Sequence, residues 1–289
     1  MSQVQGKNEG SQAILSQETE MDLPGLRENP DAGSENRSGK EGEFMIDFAT
    51  FGKIMQEFTR ECRFINLSHP LAPSMPVWPG DPFITRTVSA TISHDGFNLN
   101  QWSFGEHTGT HVGAPSHFLE NGTMLDDLSA TPIIAPLAVV DVRHLELEHR
   151  RDITVADVEQ SITQSGPITK GSVIAIRAGW SSRWPDPAAI FEQDENGKLV
   201  YPGVTAELVG WLNDELEIQA IGTDTPGIDP GYDLEFNAGQ KLAELGIIHL
   251  ENMFGFKQVP PRGAWVIVTW MPLSGATGSP AHIWAMMPK

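Results

Sequence analysis

Three histidines, His107, His111 and His117, fall within one short stretch that also holds Gly109, Gly113 and Pro115. Neutral imidazole is the commonest biological metal ligand, so rings clustered in this way read first as a metal site. The plainer alternative is a loop whose histidines cap backbone groups or face water. A helical zinc-protease pattern is excluded, because Thr108 and Gly109 occupy the places where it needs a glutamate, and the glycines and Pro115 oppose a helix. A loop or strand end must present the rings instead, and the Thr110 hydroxyl could steady a ring or a bound water. Cys62 is the only cysteine, so neither an internal disulfide nor a thiolate cage can form. Any ion would therefore rest on His, Asp and Glu, and the chain has nine histidines.

The elements that must hold these rings can be read from pattern. The chain has 289 residues, enough for a sizeable core, and carries 38 acidic against 19 basic residues for a net charge of -19. That field disfavours nucleic acid and anionic lipid as partners. No apolar run reaches the ~18 residues of a membrane span, and no signal-peptide pattern opens the sequence, so a cytoplasmic protein is expected. Residues 1–43, rich in Ser, Glu, Asn and Gly, read as a disordered or loosely attached acidic tail, with an arm around a neighbouring subunit as the functional alternative. Residues 44–63 read as an amphipathic helix or arm: Asp47 offers an N-cap, and Phe48, Phe51, Ile54, Met55 and Phe58 make one stripe. That stripe is expected to dock on the chain's own domain. Residues 64–289 read as one domain. Ile84–Ile92 and Asn98–Phe104 form a hairpin across Ser93–Gly96. After it, buried strands at Leu137–Val142, Val173–Ile176, Ile218–Ile221, Ile247–Leu250 and Trp265–Trp270 alternate with helices at Val155–Ile162, Ala206–Leu216 and Ala238–Leu245. Thr154 with Asp157 is a capping-box signature, and Gly246 sits at a helix C′ position. The class is α/β, with a mixed sheet closed or covered by helices.

The histidine stretch resembles the H-x-G-T-H-x-D-x-P-x-H signature of the metal-dependent cyclase family, which includes arylformamidases (kynurenine formamidases) and isatin hydrolases. Asn66–Pro70, Pro76–Pro82, Arg177–Trp180, Ile221–Pro226 and Gly278–Ala281 are similar to further family motifs in the same order. The resemblance implies a swivelling β/β/α fold, assembled as a homodimer or homotetramer, that uses zinc or manganese to hydrolyse an amide or lactone of a small aryl compound. It implies His107 and His111 as metal ligands, His117 as a further ligand or base, and Glu251 as a ligand or proton shuttle. Two positions depart from it. Gly113 stands where the family has an aspartate ligand, and Gly239 where a later histidine is common. With those two donors gone, a single divalent ion on His107, His111 and His117 is expected and no second metal. Gly113 would leave room that a substrate carboxylate or carbonyl could fill. His249 would share a strand face with Glu251 but reach the site from another point, so it should not substitute.

Trp78, Trp102 and Phe104 are candidates to line an aromatic pocket, with ordinary packing as the alternative. His69 and His94 are expected to face solvent, Asp224 to cap backbone, and Ser116 lacks a nucleophile-elbow pattern. The leading function is thus a metal-dependent hydrolase of an aryl amide, cyclic amide or lactone, with His117 and Glu251 moving protons. The alternative is a metal-free ring-forming or dehydrating enzyme, or a binding protein, on the same fold.

Overall fold

In a sheet covered on both sides, successive residues of a strand must serve two different cores, and Val173–Arg177 shows this directly. Val173 and Ala175 pack into one cluster, while Ile174 and Ile176 pack into the other. The computed structural model describes residues 47–128, 131–148 and 151–289; the tail expected over 1–43 lies outside them. The described strands are β1 (Cys62–Asn66), β2 (Thr85–Ala90), β3 (Leu99–Ser103), β4 (His111–Gly113), β5 (Ile133–Asp141), β6 (Asp152–Ile153), β7 (Val173–Arg177), β8 (Gly203–Val204), β9 (Ala220–Thr223), β10 (Ile248–Glu251), β11 (Ala264–Trp270) and β12 (Gly278–Pro288).

The main sheet runs β12-β11-β5-β7-β9-β10-β4 and closes through a further pairing of β4 with β12; β1 adds to β12. From β5 to β10 the neighbours are parallel, and the pairings of β1, β4, β11 and β12 are antiparallel. Parallel neighbours need crossovers, and helices Val155–Ser165, Ala206–Leu216 and Asn237–Glu244 lie in the three that join β5, β7, β9 and β10. One core mixes small residues with branched ones (Ala135, Ala175, Ala220, Ala264, Ala285 beside Val139, Val266, Ile283). The other sets Val140, Ile174, Ile176 and Ile221 against Val158, Leu208, Leu212 and Leu242 of the helices. The α/β class and the closed mixed sheet are as the sequence predicts.

The expected capping box forms at Thr154, and Thr205 adds a cap that the sequence reading did not name. Thr154 N–H donates to Asp157 Oδ2 at 2.8 Å in the capping box, and Thr205 Oγ1 accepts from Leu208 N–H at 3.2 Å. Gly246, just past Asn237–Glu244, adopts φ +70°, a left-handed conformation that favours glycine.

Two expectations change. Helix Phe48–Glu61 forms, but none of its residues is buried: Phe51, Ile54 and Met55 are exposed, and of the predicted stripe only half-buried Phe58 meets the domain, edge-on to Phe64 at 6.2 Å, so the stripe docks at its C-terminal end alone. The hairpin forms with shorter strands, and its connection is a one-turn helix, Ile92–Asp95, closed by Gly96 at φ 81°. It stands as a separate two-stranded sheet rather than joining the closed one.

Candidate active site

Strand β4 is three residues long, yet it carries the site, because it is paired on both edges. His111 lies opposite Glu251 of β10 and Pro280 of β12, and Gly113 lies opposite His249 and Gly278. Residues directly opposite share a face, and so do residues two apart. His111, Gly113, His249, Glu251 and Gly278 therefore all point one way, while Val112 and Leu250 enter the core behind them. On this face the two glycines leave room that imidazoles take. A Cβ on Gly113 would meet His249 Cε1 and Nε2 at 2.1 Å, and one on Gly278 would meet His107 Cε1 at 2.4 Å.

This corrects two expectations. The space beside Gly113 is not open to a substrate group, and His249 does reach the position that Gly113 vacates. The pairing register brings it there, and register is not visible in one strand's sequence. A parallel exchange occurs at Gly239, where a Cβ would meet Phe118 Cε2 at 2.5 Å.

Glu251 is the hub. Its Oε1 accepts from Ile228 N–H at 2.8 Å, its Oε2 lies 3.3 Å from His111 Nε2, and His249 Nε2 stands 3.8 Å from Oε1. Burial pushes this carboxyl up, but the contact with His111, then His249 and His117, outweigh it and hold it below the ordinary range. Glu251 is therefore ionised at neutral pH. His111 Nδ1 lies 2.9 Å from Gly109 O, so Nδ1 carries the donor hydrogen and Nε2 faces the carboxylate. That contact is favourable only with positive charge between the two atoms, whether a proton or a cation.

His107 points to the same conclusion. The Thr277 hydroxyl donates to Glu106 Oε2 at 2.9 Å, so its oxygen accepts from His107 Nε2 at 3.0 Å. The lone pair is left on His107 Nδ1, which is buried and has no hydrogen-bond partner among the described residues. Burial, with His111, His117 and His249 nearby, holds this ring far below the ordinary histidine range, hence neutral. Burial likewise lowers His249 to about 4. As the rings lie, no group of three or more His, Cys, Asp or Glu stands in ligand geometry among the described residues. The chemistry of the set still suits a cation. It offers an orphaned buried lone pair on His107, and on His111 an Nε2 whose 3.3 Å spacing from Glu251 Oε2 is near the ~3.4 Å between tetrahedral ligands of a zinc-class ion.

His117 is placed differently. Its ring stacks on His107 with centroids 3.8 Å apart and an interplanar angle of 28°. Its ring lines the cavity, and burial first, then His111, lowers its pKa against the opposing pull of Glu251, Asp81 and Glu106. A neutral ring at a cavity wall is suited to accept a proton.

That cavity has a volume of about 400 Å³ and includes His107, His111, His117 and Glu251 in its wall. Trp78 lines it as expected; Trp102 and Phe104 do not, because the separate hairpin carries Trp102 away and Phe104 follows it. Gly113 is absent from the lining as well, covered by His249. The apolar wall comes instead from Phe118, Trp184, Phe191, Tyr201 and Phe236, mostly loop residues whose convergence no periodicity announces. His69 is not turned to solvent but stacks between Trp184 at 4.1 Å and Phe254 at 4.6 Å. Asp224 caps backbone, accepting from Ala178 N–H at 2.7 Å and Gly179 N–H at 2.9 Å.

Asp229 escaped the sequence reading. It is buried in the cavity wall and accepts from Ala238 N–H at 2.6 Å and Gly239 N–H at 3.1 Å at the start of helix Asn237–Glu244. Burial pushes it up to about 7 against those two donors. A carboxyl with a folded pKa above its unfolded value keeps its proton longer when folded, so its contribution to stability is complete below about pH 4 and is lost as pH rises through about 7. Asp229→Asn should therefore flatten the fall in stability between those limits, read as the difference between wild-type and variant urea midpoints. An unchanged slope would mean that Asp229 does not titrate there.

A closed mixed sheet whose seam holds an imidazole–carboxylate cluster, beneath an aromatic cavity of this size, defines an α/β enzyme acting on small molecules. The Cyclase family model ("Putative cyclase") matches residues 65–230, more than half of the chain, and the chain belongs to that family. A kynurenine formamidase of Salinibacter ruber is 29% identical over 226 residues, covering 75% of this chain and 94% of that protein. One from Bacillus thuringiensis subsp. konkukian is 28% identical over 220 residues, covering 76% and 95%. Among solved structures, isatin hydrolase A from Labrenzia aggregata bound to benzyl benzoate superposes with a TM-score of 0.75 at 25% identity, over 83% of this chain and 100% of that one.

Proposed function

We propose that this chain is a hydrolase that cleaves the C–N bond of a small aryl amide, with aryl formamides as the leading substrate class. The observation that carries the reading is the ionised, buried Glu251 set against His111 at the floor of an aromatic cavity. The match to kynurenine formamidases and an isatin hydrolase supports it.

The aryl ring is held against Trp78, Trp184 and Phe191, which exclude water from the reacting bond. One divalent ion, zinc or manganese, would be held by His107 Nδ1, His111 Nε2 and Glu251; when bound it supplies Lewis acidity toward the amide carbonyl and toward water. Of the three histidines expected as ligands, His117 serves instead as the proton carrier. It takes a proton from the attacking water and delivers it to the leaving amine nitrogen, so that amide plus water give carboxylic acid plus arylamine. Glu106, through Thr277, fixes the His107 tautomer that leaves Nδ1 free. No helix among the described residues is long and apolar enough to cross a membrane. Cytoplasmic residence and assembly as a homodimer or homotetramer complete the proposal; the uncovered Phe48, Phe51, Ile54 and Met55 stripe supports assembly.

Dialysis against a chelator should lower formanilide turnover by about 100-fold or more, with recovery on adding zinc or manganese. His111→Ala should retain less than about a tenth of an ion per chain by elemental analysis. A metal-free enzyme that keeps its rate would defeat this reading and favour a metal-free catalyst; absence of any turnover with metal bound would favour a binding protein.

A further inference from the structure

Tyr201 carries the one hydroxyl in the cavity wall among the described residues. The residue is 3% exposed, and its ring packs edge-on against Trp78 at 6.5 Å and Trp180 at 6.4 Å. Its hydroxyl has no hydrogen-bond partner among the described residues. A polar group kept unpaired inside a fold costs free energy, so its retention calls for a partner that arrives from outside. The hydroxyl is seated by Gly227: a Cβ there would collide with it, and the three atoms nearest that Cβ all belong to the phenol. Gly227 also lines the cavity, and the next residue, Ile228, donates its N–H to Glu251 Oε1 at 2.8 Å. The phenol oxygen and that carboxylate therefore stand within ~9 Å of each other, close enough for one aryl amide to touch both. Burial first, then the charges of Glu251, Asp229 and Asp233, push the Tyr201 pKa well above the ordinary phenol range. The hydroxyl thus keeps its proton and is available as a donor.

We infer that Tyr201 is a further catalytic residue, whose hydroxyl donates a hydrogen bond to the carbonyl oxygen of the scissile amide as negative charge builds on that oxygen. The substrate leaves little choice of acceptor. Its ring offers none, and the amide nitrogen shares its electron pair with the carbonyl, so the carbonyl oxygen is the one strong acceptor. With the aryl ring held against Trp78, the phenol packed on the same indole reaches the amide from the side of Gly227 and Glu251. A donor already in place stabilises the developing oxyanion more than the ground-state carbonyl, and this adds to the polarisation that an ion supplies. No bond to Tyr201 forms or breaks: its proton stays on the phenol oxygen, and His117 remains the carrier of the proton that moves. Gly227 is then a positioning residue, because the hydroxyl needs the space that a side chain there would take. The inference rests on the amide-hydrolysis reading for the bond that is cut.

The test compares formanilide with thioformanilide, whose sulfur is a far weaker hydrogen-bond acceptor, on the metal-loaded enzyme. Tyr201→Phe should lower kcat on formanilide by about 100-fold, with KM within about threefold of wild type. On thioformanilide the same substitution should cost about tenfold less, whereas a merely structural disturbance would slow both substrates alike. Gly227→Ala pushes the hydroxyl aside and should cost about tenfold on formanilide; in the Tyr201→Phe background it should cost less than about threefold, because the atom it displaces is gone. A Tyr201→Phe enzyme within about threefold of wild type, equal losses on the two substrates, or losses from the two substitutions that multiply in full overturn the inference. If Tyr201→Phe does not fold, Gly227→Ala decides alone: its loss should fall on formanilide and spare thioformanilide, and an equal loss on both sinks the proposal. If the wild type cleaves no formanilide, the formamidase reading fails, and the two compounds are compared by calorimetry. The bond to the carbonyl then stands if Tyr201→Phe weakens formanilide binding by about fivefold or more and leaves thioformanilide within about twofold. It falls if the two are affected equally or neither binds.

Discussion

Glu251→Gln should leave a folded protein whose kcat is lower by about a thousandfold or more, the range expected when one catalytic proton-transfer or charge-stabilising group is removed. Glutamine keeps the length of the side chain and an oxygen able to accept from Ile228 N–H, so the bond that anchors β10 to the Ile228 loop survives. What disappears is the buried negative charge opposite His111 Nε2 and near His249 Nε2. Without it, nothing holds positive charge at the floor of the cavity. The melting temperature should move by only a few degrees, and bound metal measured by elemental analysis should fall along with the rate. A variant that turned over formanilide within tenfold of wild type would remove Glu251 from the chemistry.

The second large effect is one of packing. Gly113→Asp should cost about 3 kcal/mol or more of folding stability in urea unfolding, because an added Cβ falls 2.1 Å from two ring atoms of His249, and a buried ring and strand cannot both give way. It would also place a second carboxylate beside Glu251. His249→Ala alone should be milder, at about 2–3 kcal/mol, the cost of a cavity. In the double variant the small residue at 249 makes room for the aspartate, so the two losses should combine to less than their sum. A coupling of about 1 kcal/mol or more is expected for residues in direct contact. Strict additivity would show that the ring does not occupy the place beside Gly113.

What could be read in advance divides along physical lines. The capping box at Thr154 and Asp157, the left-handed Gly246 and the buried apolar run Val173–Ile176 are local, and sequence states them outright. The grouping of His107, His111 and His117 was equally legible, since eleven residues cannot carry them far apart. The meeting of His249 with Gly113 was hidden. It depends on which residue of β10 faces which residue of β4, a matter of register between segments more than a hundred residues apart in the chain. Phe118 against Gly239 was hidden as another contact between segments distant in the chain, here a loop residue and a helix. The aromatic wall failed differently. Trp102 was chosen for its nearness in sequence to the histidines, but a strand leads it off into a separate sheet, whereas Trp184 and Tyr201 arrive from loops with no periodic signal.

Strand β4 is the clasp of the closed sheet as well as the bearer of His111. With three residues and partners on either flank, it has no spare rungs: slipping one pairing would unhook the ring and turn His111 away from Glu251 in the same motion. Catalytic competence and closure are thereby fastened by one latch, so the first breathing of this protein on warming should extinguish turnover while the helix-backed parallel strands still stand.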